Sequence, residues 1–357
     1  MTTASPDRAF YPLRVARVEL LTEDSAAVSF DVPDHLGPRF AFAPGQSLTV
    51  RRLVDGRDER RSYSICAPAG RSPRIGVREV PGGAVSGWLV HGVRPGDLVE
   101  VQPPAGSFTP DLTRAGRHVL IAAGSGITPM LSIAASLLAA RDDTAVTLIY
   151  ANRRSDTVMF ADEVADLKDA HPDRTQVVHV LSREPQEVEL FTGRLDPAKL
   201  RDLLPATVDV ATVDHWWLCG PFALVTAAGE LLTELGVAPA RVHRELFYVE
   251  DVPPDEVHHV DAPAGPGAEA TIVLDGRAST TTIPPGMSVL DAAQRVRPDL
   301  PFACKGGVCG TCRALVREGD VHMRRNYALE PAEVAAGYVL TCQALADGDS
   351  LLVDYDG

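Results

Sequence analysis

A chain of 357 residues, 45% hydrophobic and 23% charged, is long enough for two or three globular domains and apolar enough to give each a core. Its formal net charge of −14 argues against nucleic acid as a partner, since phosphate recognition needs clustered Lys and Arg. The N-terminal MTTASPDRAF lacks the apolar stretch of a secretory signal, so a cytoplasmic protein is expected, in a compartment where structural disulfides are rare.

From about residue 15 to 102 the pattern is short β-rich runs, such as SLTVRRL and RIGVREV, separated by turns such as APGQ and VRPGDLV. Many short strands at this spacing predict a barrel or sandwich. From Arg117 onward the texture changes to alternation. HVLIAAG, AVTLIYA, TQVVHVLS and DHWWLCGP read as buried strands, with helical patterns between and after them. That alternation predicts a doubly wound parallel α/β sheet. The run from Val119 to Ala140 carries no charge over 22 residues, the length of a membrane helix. Gly-Ser-Gly and Pro129 interrupt it, so it reads as strand, turn and helix, and no membrane span is expected.

Residues 251–269, DVPPDEVHHVDAPAGPGAE, have four prolines and no apolar periodicity, as a linker would. A third domain follows, opening with two strands around Asp275-Gly276. The expected boundaries are 8–113, 114–250 and 270–357. The acid is concentrated late: from Asp251 onward there are 16 Asp/Glu against 8 Lys/Arg. Such a bias steers docking onto a basic partner or simply serves solubility, the reading that charge alone favours.

Four of the six cysteines lie in the third domain: Cys304, Cys309 and Cys312 in one loop, then Cys342 after 29 residues. The order C-x4-C-x2-C…C is the plant-type ligand pattern of a [2Fe–2S] cluster. Three ligands on one loop require a tightly curled backbone, which Gly306, Gly307 and Gly310 permit. The amides exposed by the curl can donate to sulfur. Zinc more often takes two close pairs and fits less well. Cys66 reads as a plain buried thiol. A cluster carries one electron whereas a nicotinamide gives two, so a flavin is expected between them.

RRSYSI, residues 60–65, supplies a flavin motif. It resembles the R-x-Y-S mark of the ferredoxin–NADP reductase superfamily, although a surface strand with an exposed arginine would look the same. The resemblance implies that Arg61 pairs with the FAD pyrophosphate, Tyr63 packs on the isoalloxazine and Ser64 hydrogen-bonds near its reactive nitrogen. PGGAVSGWL resembles the family's second flavin segment, implying pyrophosphate contacts from Gly82, Gly83 and Ser86 at a short helix. A hairpin turn with Ser86 as an ordinary cap is the alternative. AAGSGITPM matches the family's nicotinamide turn and implies cofactor contacts from Gly124, Ser125, Gly126 and Thr128. WLCGP places Cys219, Gly220 and Pro221 beside the nicotinamide by the same resemblance; a small buried residue before a turn would also explain Cys219. Ser182 and Arg183 look like the pair that reads the 2′-phosphate in NADP-using relatives. Arg153 and Arg154 end the preceding strand, so NADPH is expected, with NADH possible. In HRELFYVED the resemblance implies Glu245 and Phe247 near the flavin face.

The order of barrel, nucleotide domain and C-terminal β-grasp ferredoxin resembles one branch of that superfamily, the reductase components of multicomponent oxygenases. It implies electron flow from NADPH through FAD and the [2Fe–2S] cluster to an iron-containing oxygenase partner. No acid–base triad is required, and the sequence shows none. Rivals are a stand-alone flavin or ferric reductase and a non-catalytic zinc module. One departure from the branch is MRRNYAL, whose Arg324 and Arg325 put a basic pair in an acidic domain and bear on docking.

Overall fold

The computed structural model describes residues 9–247, 267–329 and 331–357. The expected linker lies outside them apart from residues 267–269. The described residues of Phe10–Asp58 and Tyr63–Tyr248 form one compact unit, and those of Glu59–Ser62 and Val249–Gly357 belong to a second.

The first unit begins with β1 (Tyr11–Thr22), β2 (Ser25–Asp31), α1 (Gly37–Phe40), β3 (Ser47–Val54), β4 (Arg57–Ser64), β5 (Arg74–Arg78) and β6 (Leu98–Val101). They lie in the order β4-β3-β6-β1-β2-β5, with antiparallel pairing of β1 to β2 and β6, β2 to β5, and β3 to β6. An antiparallel bridge between Ile65 and Ile75 joins the two edges, so the sheet closes on itself. Alternation fills the interior: Leu13 and Val15, Ala26, Val28 and Phe30, Leu48 and Val50, Ile75 and Val77, and Val99 and Val101 are all buried in one cluster. The β3–β4 loop is Asp55-Gly56, both with positive φ (50° and 77°), a two-residue turn that suits strand twist.

A parallel sheet follows: β7 (Arg117–Ala123), α2 (Ile127–Ala140), β8 (Ala145–Asn152), α3 (Ala161–Ala170), β9 (Thr175–Leu181), α4 (Pro197–Thr207), β10 (His215–Gly220), α5 (Phe222–Glu234) and β11 (Val242–Leu246). The order is β11-β10-β7-β8-β9, all parallel. The chain leaves β7 toward β9 and returns to its other side with β10. The carboxyl ends of β7 and β10 therefore flank a topological switch point, where open α/β sheets bind ligands. Apolar clusters cover both sheet faces.

The chargeless run from Val119 is β7, a glycine turn and α2, as its punctuation predicts. Its helix is apolar all round because both sides are covered. Met130, Ile133, Leu137 and Leu138 share one cluster with Leu120, Leu148 and Trp217 of the sheet, and with Ala27, Cys66 and Phe108. Ser132 Oγ donates to the carbonyl of Ala67 (2.6 Å), and Ser136 Oγ accepts from the amide of Ala69 (2.9 Å). Among the described residues no helix is long and apolar enough to cross a membrane.

The second unit carries β12 (Ala268–Leu274), β13 (Arg277–Ile283), α6 (Val289–Ala293), β14 (Arg313–Glu318), β15 (Val321–Met323), α7 (Pro331–Ala335), β16 (Tyr338–Leu340), β17 (Ala344–Ala346) and β18 (Ser350–Asp354). Its mixed sheet has the order β13-β12-β18-β14-β16, and α6 lies in the same core as Ile272, Leu300 and Val353. The Asp275-Gly276 turn again has two positive φ values, and the Asp356 carboxylate accepts from both its amides. β12 starts two residues before the expected domain start, because Glu269 already pairs with Ser350.

Candidate functional site

At the switch point the glycine turn presses directly on β10. A Cβ on Gly126 would stand 2.3 Å from the carbonyl oxygen of Cys219, so this position admits no side chain. Gly124 has a φ of +54°, and Thr128 Oγ1 donates to the carbonyl of Ser125 (3.0 Å). Gly124, Ser125, Gly126 and Thr128 are thus assembled against Cys219 and Gly220, and Pro221 caps α5. Parallel pairing sets Cys219 opposite Glu245 and Gly220 opposite Leu246.

Ser64, at the end of β4, is brought to the same place. Its Oγ donates to Glu245 Oε2 (3.3 Å), and Cys219 Sγ lies 4.0 Å from that oxygen. Burial pushes the Glu245 carboxyl up from 4.5 to about 8, against the easing effect of the Ser64 hydrogen bond. Burial and the Glu245 charge raise the Cys219 thiol well above the ordinary range, so it is neutral and no nucleophile. The raised carboxyl and thiol leave the cluster largely uncharged near neutral pH. Phe247 is half-buried against the core that includes α2.

One cation here escaped the sequence reading. β5 turns Arg74, Gly76 and Arg78 toward the nucleotide sheet. Arg74 holds Glu163 of α3 with two hydrogen bonds (2.9 and 2.7 Å), and a Cβ on Gly76 would meet Thr128 Cγ2 at 2.4 Å. Arg78 donates to the carbonyl of Thr157 (2.6 Å) and to Asp24 (3.2 Å). Its Nη1 lies 3.1 Å from where a Cβ on Gly124 would be. An anion seated on the glycine turn meets this guanidinium. The signal was Arg-x-Gly-x-Arg at strand period in RIGVR.

On β4 the Arg61 guanidinium donates to Glu59 (3.1 Å) and to the carbonyl of Arg60 (2.7 Å). Tyr63 packs, half-buried, against the barrel core. Gly82 has a φ of +76°, and a Cβ on Gly83 would meet Ser86 Oγ at 2.5 Å. Ser86 Oγ accepts from the amide of Val80 (3.1 Å), which folds the loop back on itself, and a π-helical turn, Trp88–Gly92, follows. Arg52, which the sequence did not flag, donates to the carbonyl of Ala84 (2.5 Å) with its guanidinium 4.9 Å from the Trp88 ring. A side-chain-free loop, a guanidinium beside it and an aromatic ring are a donor set that fits a flavin dinucleotide.

The ends of β8 and β9 adjoin. The amide of Ser182 donates to the carbonyl of Asn152 (2.9 Å) and that of Arg183 to the carbonyl of Arg153 (2.8 Å). Arg153 and Arg183 are exposed, and neither guanidinium has a hydrogen-bond or ion-pair partner among the described residues. Arg154 differs, pairing with Asp156 (3.2 Å).

The cysteine loop curls through positive φ at Lys305, Gly307 and Gly310. All four thiols are free and stand as two pairs, Cys304 with Cys309 and Cys312 with Cys342. Among the described residues no three His, Cys, Asp or Glu side chains converge on a single ion. The Cys304 thiol is pulled down to about 6, chiefly by the hydrogen bond from Cys309, with help from the amides of Gly306, Val308 and Cys309 and against burial. Cys309 and Cys342 are pushed up by their thiol neighbours and by burial. Gln343 Nε2 braces the loop through the carbonyl of Lys305 (2.8 Å). Two thiol pairs, with amides donating to Cys304, are a donor set that would suit a two-iron centre. Cys66 is buried as expected; burial lifts its thiol to about 12.

Comparison with known proteins gives the same three parts. Residues 12–109 match an oxidoreductase FAD-binding domain, 120–230 an oxidoreductase NAD-binding domain, and 272–347 a 2Fe-2S iron-sulfur cluster binding domain. The chain is 40% identical to one component of the 1,2-phenylacetyl-CoA epoxidase of Escherichia coli (strain K12), over 97% of this chain and 98% of that one. It is 34% identical to the ferredoxin reductase component of 3-ketosteroid-9-alpha-monooxygenase from Rhodococcus rhodochrous, over 96% of each. Phthalate dioxygenase reductase shares the fold, with a TM-score of 0.62 at 24% identity over 97% of this chain and 98% of that chain.

Two outcomes follow from this geometry. Gly126→Ala forces the turn off β10, at a cost of roughly 1–3 kcal/mol. Thermal unfolding will show the loss, and steady-state kinetics a raised KM for the nicotinamide cofactor. Glu245 has a folded pKa above its unfolded 4.5, so its contribution to stability is full below pH 4.5 and is lost as pH rises through about 8. The melting temperature of the wild type, relative to Glu245→Gln, should therefore fall across that window; parallel profiles would refute the assignment.

Proposed function

We propose that this chain, which belongs to the ferredoxin–NADP reductase superfamily and, within it, to the oxygenase reductase components with a C-terminal [2Fe–2S] ferredoxin domain, delivers electrons from NADPH to a phenylacetyl-CoA epoxidase. The observation that carries the choice of acceptor is full-length similarity: 40% identity to the epoxidase component against 34% to the ketosteroid enzyme's reductase. The latter, with the same layout, is the second reading. Residues 8–113, 114–250 and 270–357 are then the flavin, nucleotide and ferredoxin domains. The reading puts the protein in the cytoplasm, where its thiols stay reduced.

When bound, FAD supplies two-electron acceptance from a nicotinamide and one-electron release, and the cluster supplies one-electron carriage. The chain's part is to bind, orient and exclude water. Gly124, Ser125 and Gly126 would offer a turn whose one side chain is a small hydroxyl to the nicotinamide cofactor's pyrophosphate, and Arg78 would meet its charge. Gly126 lets that turn sit against Cys219, which shapes the nicotinamide end of the site. Ser64, Cys219 and Glu245 keep the reacting region neutral and dry, so nothing there competes for the hydride or admits bulk solvent. Arg61, Gly82, Gly83 and Ser86 anchor the flavin's pyrophosphate, and Tyr63 offers its ring to the isoalloxazine. Cys304, Cys309, Cys312 and Cys342 hold the irons, and the loop amides stabilise the negative charge on sulfur.

The preference for NADPH rests on Arg153 and Arg183, two partnerless guanidiniums at adjoining strand ends beside the Ser182 hydroxyl. Arg183→Ala is expected to raise KM for NADPH about tenfold while leaving KM for NADH nearly unchanged. Equal effects on both cofactors would remove the assignment. The acceptor is tested by purifying the chain and measuring substrate-dependent NADPH oxidation with each candidate oxygenase. Coupling to the ketosteroid oxygenase and not to the epoxidase would select the second reading. Cys304→Ala should abolish electron delivery to the oxygenase and to cytochrome c while NADPH still bleaches the flavin. Retained cytochrome c reduction would instead mark a stand-alone flavin reductase.

A further inference from the structure

We propose that Arg324 and Arg325, at the rim of the cysteine loop, form the contact on which the oxygenase docks, and that the oxygenase meets them with an acidic patch. The proposal rests on the reading above that electrons leave through the cluster.

The position is fixed by the backbone. The amide of Arg324 donates to the carbonyl of Gln343 (3.0 Å), next to Cys342, and the amide of Tyr327 donates to the carbonyl of Gly307 (3.1 Å) inside the loop. The Arg325 carbonyl oxygen lies 3.5 Å from where a Cβ on Gly307 would stand. The segment is thus stitched to both stretches that carry iron ligands, and both arginine side chains are exposed there. Arg324 makes one long side-chain contact, to the carbonyl of Cys342 (3.5 Å), and Arg325 has no side-chain partner among the described residues.

The other cations around the loop are spent internally. Lys305 Nζ is 2.8 Å from Asp291 and 4.9 Å from the centre of the Phe302 ring. Arg313 pairs with Glu333 (3.0 Å) and lies over Tyr338. What remains at the rim is a pair of positive charges with no ion-pair partner among the described residues, in a region from Asp251 onward with 16 acids against 8 bases. Two adjacent like charges without an acidic partner among the described residues repel each other. An acidic partner turns that arrangement to use. It is repelled by the acidic remainder and admitted at the rim of the cysteine loop, so the charge pattern selects both the partner and its orientation. Screening limits such steering to about 8 Å at physiological salt, so the arginines act at contact.

The test uses full-length protein loaded with FAD and cluster, as wild type, Arg324→Glu/Arg325→Glu, the charge-conserving Arg324→Lys/Arg325→Lys, and the single Arg325→Glu, whose wild-type side chain has no hydrogen-bond or ion-pair partner among the described residues. With the phenylacetyl-CoA epoxidase oxygenase at low ionic strength, the double Glu variant is expected to raise KM for the oxygenase about tenfold with kcat little changed. The wild-type loss of rate with added salt should disappear, and the Lys variant should behave as wild type. Bleaching of the cluster by NADPH should be unaffected. A readout without any oxygenase follows reoxidation of the reduced cluster by an anionic cobalt(III) chelate and by hexaamminecobalt(III). The Glu variants should slow the first and speed the second. Unchanged KM together with an unchanged anion-to-cation ratio would overturn the proposal, as would slower cluster reduction by NADPH, which would assign the pair to electron entry. If wild type drives no epoxidase yet the cobalt ratio shifts, the basic rim stands and the acceptor assignment fails.

Discussion

The missing Cβ of Gly126 is the constraint on which the nucleotide half of the molecule depends. Any side chain there would drive into the carbonyl of Cys219, 2.3 Å away. Because the turn can lie on β10, the carboxyl ends of β7 and β10 meet, and β11, in parallel register, carries Glu245 to the same spot. Ser64 then reaches Glu245 across 181 positions of sequence. A hydroxyl, a thiol and a carboxyl with little water around them would be a liability in an ordinary core. Here the carboxyl is held protonated near neutrality and the thiol cannot ionise, so the cluster is polar without being charged. That suits a place where a hydride moves between two flat rings and stray charge or water would divert it.

The same turn explains the odd composition of α2. A helix on an α/β sheet normally shows water one polar face, but this one is covered on both sides and its serines bond to the carbonyl of Ala67 and the amide of Ala69. The interface it fills is finished by β5, where Gly76 gives way to Thr128 and Arg74 grips Glu163. Arg74 also faces Glu19 (3.4 Å) and lies 5.2 Å from the Phe160 ring, so its charge is answered from several elements at once. An ion pair of this kind, partly shielded and bidentate, fixes geometry more than it adds stability. Arg78 two residues on then has a defined place over Gly124.

Much of this was legible in the residues, and the exceptions share a cause. The cysteine spacing, the Asp-Gly turns and the runs HVLIAAG and AVTLIYA carry local signals, each tied to backbone curl, turn φ or strand burial. β11 was not legible because VHREL is an edge strand with only half-buried side chains and no clean alternation. α4 was obscured by Pro197 at its start and Pro205 within it. The motif residues were recognisable as residues. Their meeting was not, since Ser64, Cys219 and Glu245 come together only through sheet order and parallel register. Arg78 and Arg52 belong to no glycine or cysteine pattern, and their importance comes from what lies opposite them.

The two candidate redox sites use opposite electrostatics, and the local chemistry accounts for it. At the switch point burial suppresses charge: carboxyl and thiol both stay protonated because nothing nearby donates enough to hold an anion. In the cysteine loop Cys304 is half-buried, and it is drawn toward the thiolate chiefly by the hydrogen bond from Cys309, with the amides of Gly306, Val308 and Cys309 adding to it. Part of the difference lies in the backbone. Positive φ at Lys305, Gly307 and Gly310 curls the loop so that amides reach Cys304, whereas at β10 and β11 the amides are committed to the parallel ladder. A regular sheet therefore makes a neutral pocket, and an irregular glycine loop leaves backbone amides free to donate to a sulfur. The chain needs both, and it keeps them in separate folds because a single backbone geometry cannot supply both.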